Sequence, residues 1–178
     1  MLISIDPSIN YCGYAVWEET IGKTITIPRE YGLIRPNNGI TDQYEKAFSV
    51  YHKIIKLADG LSEKYNLRVG YGLKMVMEVP AHWNIEGFIA RESGNLYKLI
   101  FLCGQLSTVT DMDKCFLVFP HKWKGQMKKE VIRNRLAQDY GKVDEEFAQK
   151  IMDMNHNIMD AIGIGYWYLY KREKGKTV

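Results

Sequence analysis

Two short apolar runs, Leu73 to Val79 and Cys115 to Phe119, each stop at a proline, and a helical stretch from about Glu92 to Val109 lies between them. Runs this short, apolar at both alternating sets of positions, suit strands covered on both faces. A helix between two such strands is the connection that lets them lie parallel. The chain before them reads differently. Leu2 to Ile5 is an apolar run closed by Asp6-Pro7-Ser8, Gly13 to Trp17 reads as a second strand, and Lys23 to Ile27 alternates before Pro28, with Tyr31 to Ile34 continuing that edge. Three strands on short connections make a meander. Tyr44, Ala47, Phe48, Tyr51, Ile54, Ile55, Ala58 and Leu61 then recur at three and four, which predicts an amphipathic helix over about 41–64 with Thr41 as its cap. The last third reads as helical over Lys128 to Tyr140, Glu145 to Met152 and Asn155 to Tyr170. A meander followed by alternating strands and helices predicts an α/β fold: a five-stranded mixed sheet, three strands antiparallel and two parallel, flanked by helices.

A chain of 178 residues, 46% of them hydrophobic, can build one core and is short for two ordinary domains, so 1–178 reads as a single domain. Lys+Arg 24 against Asp+Glu 21 leaves a net charge of +3, too small to name a nucleic-acid partner. Placement says more than the sum. Lys122, Lys124, Lys128, Lys129, Arg133 and Arg135 gather in one region and Lys171, Arg172, Lys174 and Lys176 in another, while the acidic residues are scattered. A solvated helix face and a polar tail explain these groups as well as a phosphate-binding surface does. Cys12, Cys103 and Cys115 sit among apolar residues without CxxC spacing, which argues for buried thiols against a zinc site or a disulfide framework. The first residues lack the basic and long apolar segments of a signal peptide, and no run of about 18 apolar residues exists to span a bilayer. The expectation is no membrane association and, by elimination, a cytoplasmic location.

Asp6 stands at the carboxyl end of the first strand, where a central strand presents a side chain to an open end of the sheet. Glu78 is a charge embedded in the apolar run Met75-Val76-Met77-Glu78-Val79-Pro80, costly to bury unless paired or holding a metal. Asp160 precedes Ala161-Ile162-Gly163-Ile164-Gly165-Tyr166-Trp167, an apolar helical stretch that faces inward. Asn157 lies three residues before it and His156 four, so either can share its helix face; Asp153, seven back, joins them if the helix starts that early. Oxygen ligands from two strands and one helix suit Mg²⁺, and a pair of such ions about 3.5–4 Å apart can activate water and stabilise a leaving phosphodiester oxygen.

The opening Ile3-Ser4-Ile5-Asp6-Pro7-Ser8-Ile9-Asn10-Tyr11-Cys12-Gly13-Tyr14-Ala15-Val16 resembles the first motif of the RuvC-type Holliday-junction resolvases, nucleases of the RNase H-like superfamily. Glu78 falls where that family has its second acidic residue, Gly104-Gln105 is similar to its Leu-Gly-Gln helix, and Asp160-Ala161-Ile162-Gly163-Ile164-Gly165 to its Asp-Ala-Leu-Ala-Ile-Ala ending. The motifs stand in the family's order across nearly the whole chain, in departures as well as matches. Ser8 replaces a glycine, and Asn157 stands where the family carries an acid or a histidine. The resemblance implies an RNase H-like fold and a homodimer that makes paired, symmetric nicks in four-way DNA junctions. It implies two Mg²⁺ ions per site, with Mn²⁺ as a substitute, and no nucleotide cofactor. Asp6, Glu78 and Asp160 would hold the ions, with Asn157, His156 or Asp153 as the fourth ligand in that order.

In the same resemblance, the segment after the second proline-stopped run approaches the scissile phosphate, with Lys122, Lys124 and Lys128 as candidates and Lys124 as the catalytic one; Lys129 extends the basic surface. Trp123 is placed to pack on a sugar or base, or to anchor the core, and His82 and Trp83 form a loop that touches DNA or is plain surface. Three rivals share parts of the pattern. A sugar-kinase or actin-like ATPase needs two lobes, for which the chain is short. A junction-binding protein without catalysis is favoured by Asn157, and an RNase H-like nuclease for other branched DNA uses the same acids.

Overall fold

The structure, a computed structural model, describes residues 1–18, 25–67, 72–80 and 94–171. Its elements are β1 (Leu2–Asp6), β2 (Cys12–Trp17), β3 (Glu30–Ile34), α1 (Gln43–Lys64), β4 (Lys74–Glu78), α2 (Asn95–Leu106), β5 (Cys115–Val118), the one-turn α3 (Pro120–Trp123), α4 (Lys129–Gly141), α5 (Glu145–Asp153) and α6 (His156–Tyr166), which runs on into a wider turn over Trp167–Lys171. The strands form one sheet in the order β3-β2-β1-β4-β5. β1 and β2, and β2 and β3, pair antiparallel; β1 and β4, and β4 and β5, pair parallel. This is the five-stranded mixed α/β sheet that the sequence predicts.

Alternation along the strands divides the core in two. Ile3, Ile5, Cys12, Val16, Met75 and Met77 point to one face, where α1 and α2 cover them with Val50, Ile54, Leu61, Leu102 and Leu106. Leu2, Ala15, Trp17, Val76 and Val118 point to the other, beneath α4, α5 and α6. Glycines let α6 lie almost on the sheet. A Cβ on Gly13 would collide with the backbone of Asn157, and one on Gly165 would collide with the Trp17 indole and sit 2.7 Å from Ser4 Oγ. A larger residue at either position would lift the helix away from β1 and β2.

Several boundaries differ from the sequence reading for identifiable reasons. α1 is capped by Asp42 and not Thr41, because the Asp42 carboxylate accepts the Tyr44 and Glu45 N–H groups, both at 2.9 Å. Ile25 to Ile27 are in no strand; the third strand is Glu30–Ile34, with the Arg29 N–H bonding to Val16 O at 2.8 Å just after Pro28, which has no N–H to offer the ladder. Residues 23 and 24 lie outside the described residues. The break between α5 and α6 is held by Arg133, which donates to Met152 O at 2.7 Å and Met154 O at 3.1 Å, while Asn155 caps α6 through the Asn157 N–H. Cys12, Cys103 and Cys115 are free thiols. Among the described residues, no helix is long and apolar enough to cross a membrane.

Candidate active site

Strand parity decides which polar residues meet α6. Asp6 and Ser4 share the face of Leu2, and Glu78 shares that of Val76, so both acids point to the α6 side from the carboxyl ends of the adjacent parallel strands β1 and β4. Asp160 comes down from the second turn of α6 and is 5% exposed. Three carboxylates thus converge where the central strands end.

Among the described residues, one cation stands between them. The chain leaves β5 through α3, which turns Lys124 back over the sheet, with its Nζ 3.1 Å from Glu78 Oε2 and 3.9 Å from Asp160 Oδ2. The preceding residue, Trp123, donates its indole N–H to the same Glu78 Oε2 at 2.5 Å. Asp160 Oδ1 is buried without a hydrogen-bond partner. A buried carboxylate oxygen in that condition is expensive, and native proteins leave few of them.

Burial first, then repulsion from Asp160 and Glu78, hold the Asp6 carboxyl well above the usual carboxylate range, against the pull of Lys124 and Lys129. Burial likewise raises Glu78, partly offset by Lys124 and Trp123, and raises Asp160 against Lys124, Lys129 and Arg133. Burial alone would lower Lys124, but Glu78, Asp160 and Asp6 together outweigh it and its ammonium is held above the ordinary lysine range. The site therefore carries an excess of acid that one lysine does not neutralise. Among the described residues, no three His, Cys, Asp or Glu side chains stand close enough to enclose a metal ion as they are. The Lys124 ammonium fills the gap between Glu78 and Asp160 in this arrangement. The donor set, all carboxylate with one orphaned oxygen, fits a hard divalent cation such as Mg²⁺ or Mn²⁺.

The other candidates fall in distinct places. Asn157 is buried one turn before Asp160, and its Nδ2 donates to Tyr11 O at 2.5 Å, which ties α6 to the β1–β2 turn and fixes the amide plane. His156 is exposed; burial, then Lys129 and Arg133, lower its pKa, so its surroundings are cationic and not those of a metal ligand among acids. Asp153 ends α5 and is exposed, so it does not share the α6 face with Asp160, because the helix restarts at Asn155. Lys128 and Lys129 are exposed at the start of α4, and the charge of Lys129 reaches Asp6 and Asp160. Lys122 lines a separate cleft of about 330 Å³ with Met127, Arg135, Asp139 and Trp167. Trp123 is 9% exposed, packed against Gly163 of α6, and it borders the cleft that Lys122 lines. His82 and Trp83 lie outside the described residues. What sequence reasoning missed is the Trp123–Glu78 bond, which joins residues 45 apart and has no local signature.

No protein-family model matches the sequence, and no curated protein matches it. Comparison with solved structures finds the RuvC of Thermus thermophilus at a TM-score of 0.61 and 13% identity, covering 98% of this chain and 96% of that one. At this identity the likeness is one of fold, and the fold is RuvC-like, within the RNase H-like class.

Proposed function

We propose that this chain is a divalent-metal-dependent nuclease that nicks four-way DNA junctions in a RuvC-like manner. The observation that carries the reading is the convergence of Asp6, Glu78 and Asp160, one buried and two partly buried carboxylates that share one lysine among the described residues, on a fold shared with a RuvC. Asp6, Glu78 and Asp160 would hold the metal, and Asn157 would hold the turn of α6 that presents Asp160. Bound Mg²⁺ or Mn²⁺ ions would supply Lewis-acid activation of water and of the leaving oxygen. Lys124 sits on a flexible stem at the rim of the acids. Released from Glu78 and Asp160, it reaches a phosphate at the site and stabilises the negative charge that grows there. Lys128 and Lys129 neutralise flanking phosphates, with His156 beside them.

A junction with two-fold symmetry calls for two symmetric sites, which an isologous homodimer supplies. In support, α1 and α2 expose Tyr44, Phe48, Tyr97 and Ile100 on neighbouring surface, with Phe101 edge-on to Tyr44 and Phe48 at ring-centre distances of 5.3 and 5.4 Å. Leu96 and Leu102 of α2 are buried in the protomer's own core.

The test is cleavage of an end-labelled four-way junction against linear duplex, with Mg²⁺ or chelator, by wild type and Asp6→Asn. Paired symmetric nicks that need the metal and vanish in the variant support the reading. A second reading, junction binding without cutting, is favoured by the neutral Asn157 and by the Lys124 ion pairs; tight binding with no nicks under any divalent metal would establish it instead.

A further inference from the structure

We infer that Trp123 is the positioning residue of the acid cluster: its indole N–H fixes the Glu78 carboxylate so that the glutamate stays aimed at the cation site when Lys124 leaves. The inference rests on the nuclease reading and deepens it.

Glu78 receives two donors from consecutive residues, and they differ in kind. Lys124 contacts both oxygens, Oε1 at 3.3 Å and Oε2 at 3.1 Å, through a flexible stem and a full charge. Asp6, Glu78 and Asp160 would hold a divalent cation in place of that ammonium, which the added charge would repel. Trp123 contacts only Oε2, at 2.5 Å, through a neutral group on a rigid ring. A neutral donor is not repelled by an arriving cation, and its bond leaves Oε1 free to face the ion.

The ring is held by a socket as tight as its bond. Gly163 lies three residues after Asp160, on the same side of α6. A Cβ at Gly163 would lie 2.6 Å from Trp123 Cζ3 and 3.2 Å from Cη2, so the glycine makes room for the indole. Pro120 opens α3 and sets its first turn, which places the indole in that socket. Without the indole, Glu78 at the end of β4 would have, among the described residues, only Lys124 to restrain its carboxylate, and a bound metal would displace that restraint. Partners that orient a metal-ligating carboxylate in this way are worth about 10–100-fold in metal affinity.

The experiment uses the whole chain without DNA. Mg²⁺ binding is measured by calorimetry for wild type, Trp123→Phe and Gly163→Ala, and the indole N–H signals of ¹⁵N-labelled wild type are followed through the same titration. The phenylalanine keeps a ring in the socket and removes only the donor, while the alanine keeps the donor and displaces the ring. Both variants are expected to bind Mg²⁺ about 10–100-fold more weakly. Wild type is expected to show one indole signal, absent from Trp123→Phe, that moves with Mg²⁺ saturation, and junction binding in chelator is expected to be unchanged in Trp123→Phe. Wild-type binding with an undiminished affinity in Trp123→Phe, or a Trp123 indole signal unmoved by Mg²⁺, would overturn the inference and leave the nuclease reading standing. A wild type that binds neither Mg²⁺ nor Mn²⁺ would overturn both.

Discussion

Two polar groups of side chains lie beneath α6, both anchored on β1 and only two residues apart, and they are treated in opposite ways. At Ser4, the hydroxyl accepts the Trp17 indole N–H at 2.8 Å and donates to Ala15 O at 3.3 Å, so this buried hydroxyl and indole have partners. At Asp6, three acids share one lysine and Asp160 Oδ1 has no partner at all. Both places are pressed by the same helix through glycines at 13, 163 and 165. The same packing therefore yields a closed polar contact in the middle of the strand and an open electrostatic deficit at its end. The Ser4 hydroxyl and Trp17 indole are satisfied where Asp160 Oδ1 is not, and that deficit at the strand end is what the proposed metal would fill.

The comparison can be broken from either end. Lys124→Met removes the only ion-pair partner of the three acids among the described residues, and the rate of metal-dependent cleavage is expected to fall about 10²-fold or more, the scale of losing one preorganised charge at a reacting centre; an unchanged rate in single-turnover assays would remove Lys124 from the chemistry. At the satisfied end, Gly165→Ala forces a methyl against Trp17 and Ser4 and is expected to cost roughly 1–3 kcal/mol in urea unfolding without changing Mg²⁺ affinity. Ser4→Ala leaves the Trp17 N–H buried and unpaired, for about 1–3 kcal/mol. The smallest effect has the opposite sign. Asp160→Asn removes a charge that burial disfavours and is expected to raise the metal-free Tm by about 2–4 °C.

The pH dependence sharpens that last prediction. Burial raises the folded pKa of Asp160 above its unfolded value, so between the two the folded chain holds a proton that the unfolded chain has released, and stability falls as pH rises through that window. The Tm gap between Asp160→Asn and wild type, measured in chelator, should therefore be smallest at acid pH, widen as pH rises from the unfolded to the raised folded pKa of Asp160, and then level off. A gap that narrows instead would mean that Asp160 is a well-satisfied ion-pair partner and not part of a deficit.

Much of this arrangement is legible in the sequence. Asp6 and Glu78 could be found because each is a charge at the end of an apolar run, and strand parity then places both on one face. Asp160 could be found because an acid borders a helix too apolar to be exposed. The family resemblance alone singles out Lys124 over Lys122 and Lys128, since the three share one segment; the turn through α3 is what aims Lys124 at Glu78 while Lys122 faces another cleft. Register alone ranks Asn157 ahead of His156 and Asp153; the Asn155 cap then starts a new helix after Asp153, and Lys129 and Arg133 surround His156 with positive charge. The close approach of α6 at Gly13, Gly163 and Gly165 and the Trp123–Glu78 bond depend on long-range packing, for which a single sequence carries no periodicity or motif.

The most direct test of the account is a crystal of the protein soaked in Mn²⁺ and measured for anomalous scattering. The account predicts a peak within ligand distance of Asp6, Glu78 and Asp160, with the Lys124 ammonium moved off Glu78 and the Trp123 indole still bonded to it. A map with no peak there, and with Lys124 still paired to Glu78 and Asp160 at saturating Mn²⁺, would contradict it.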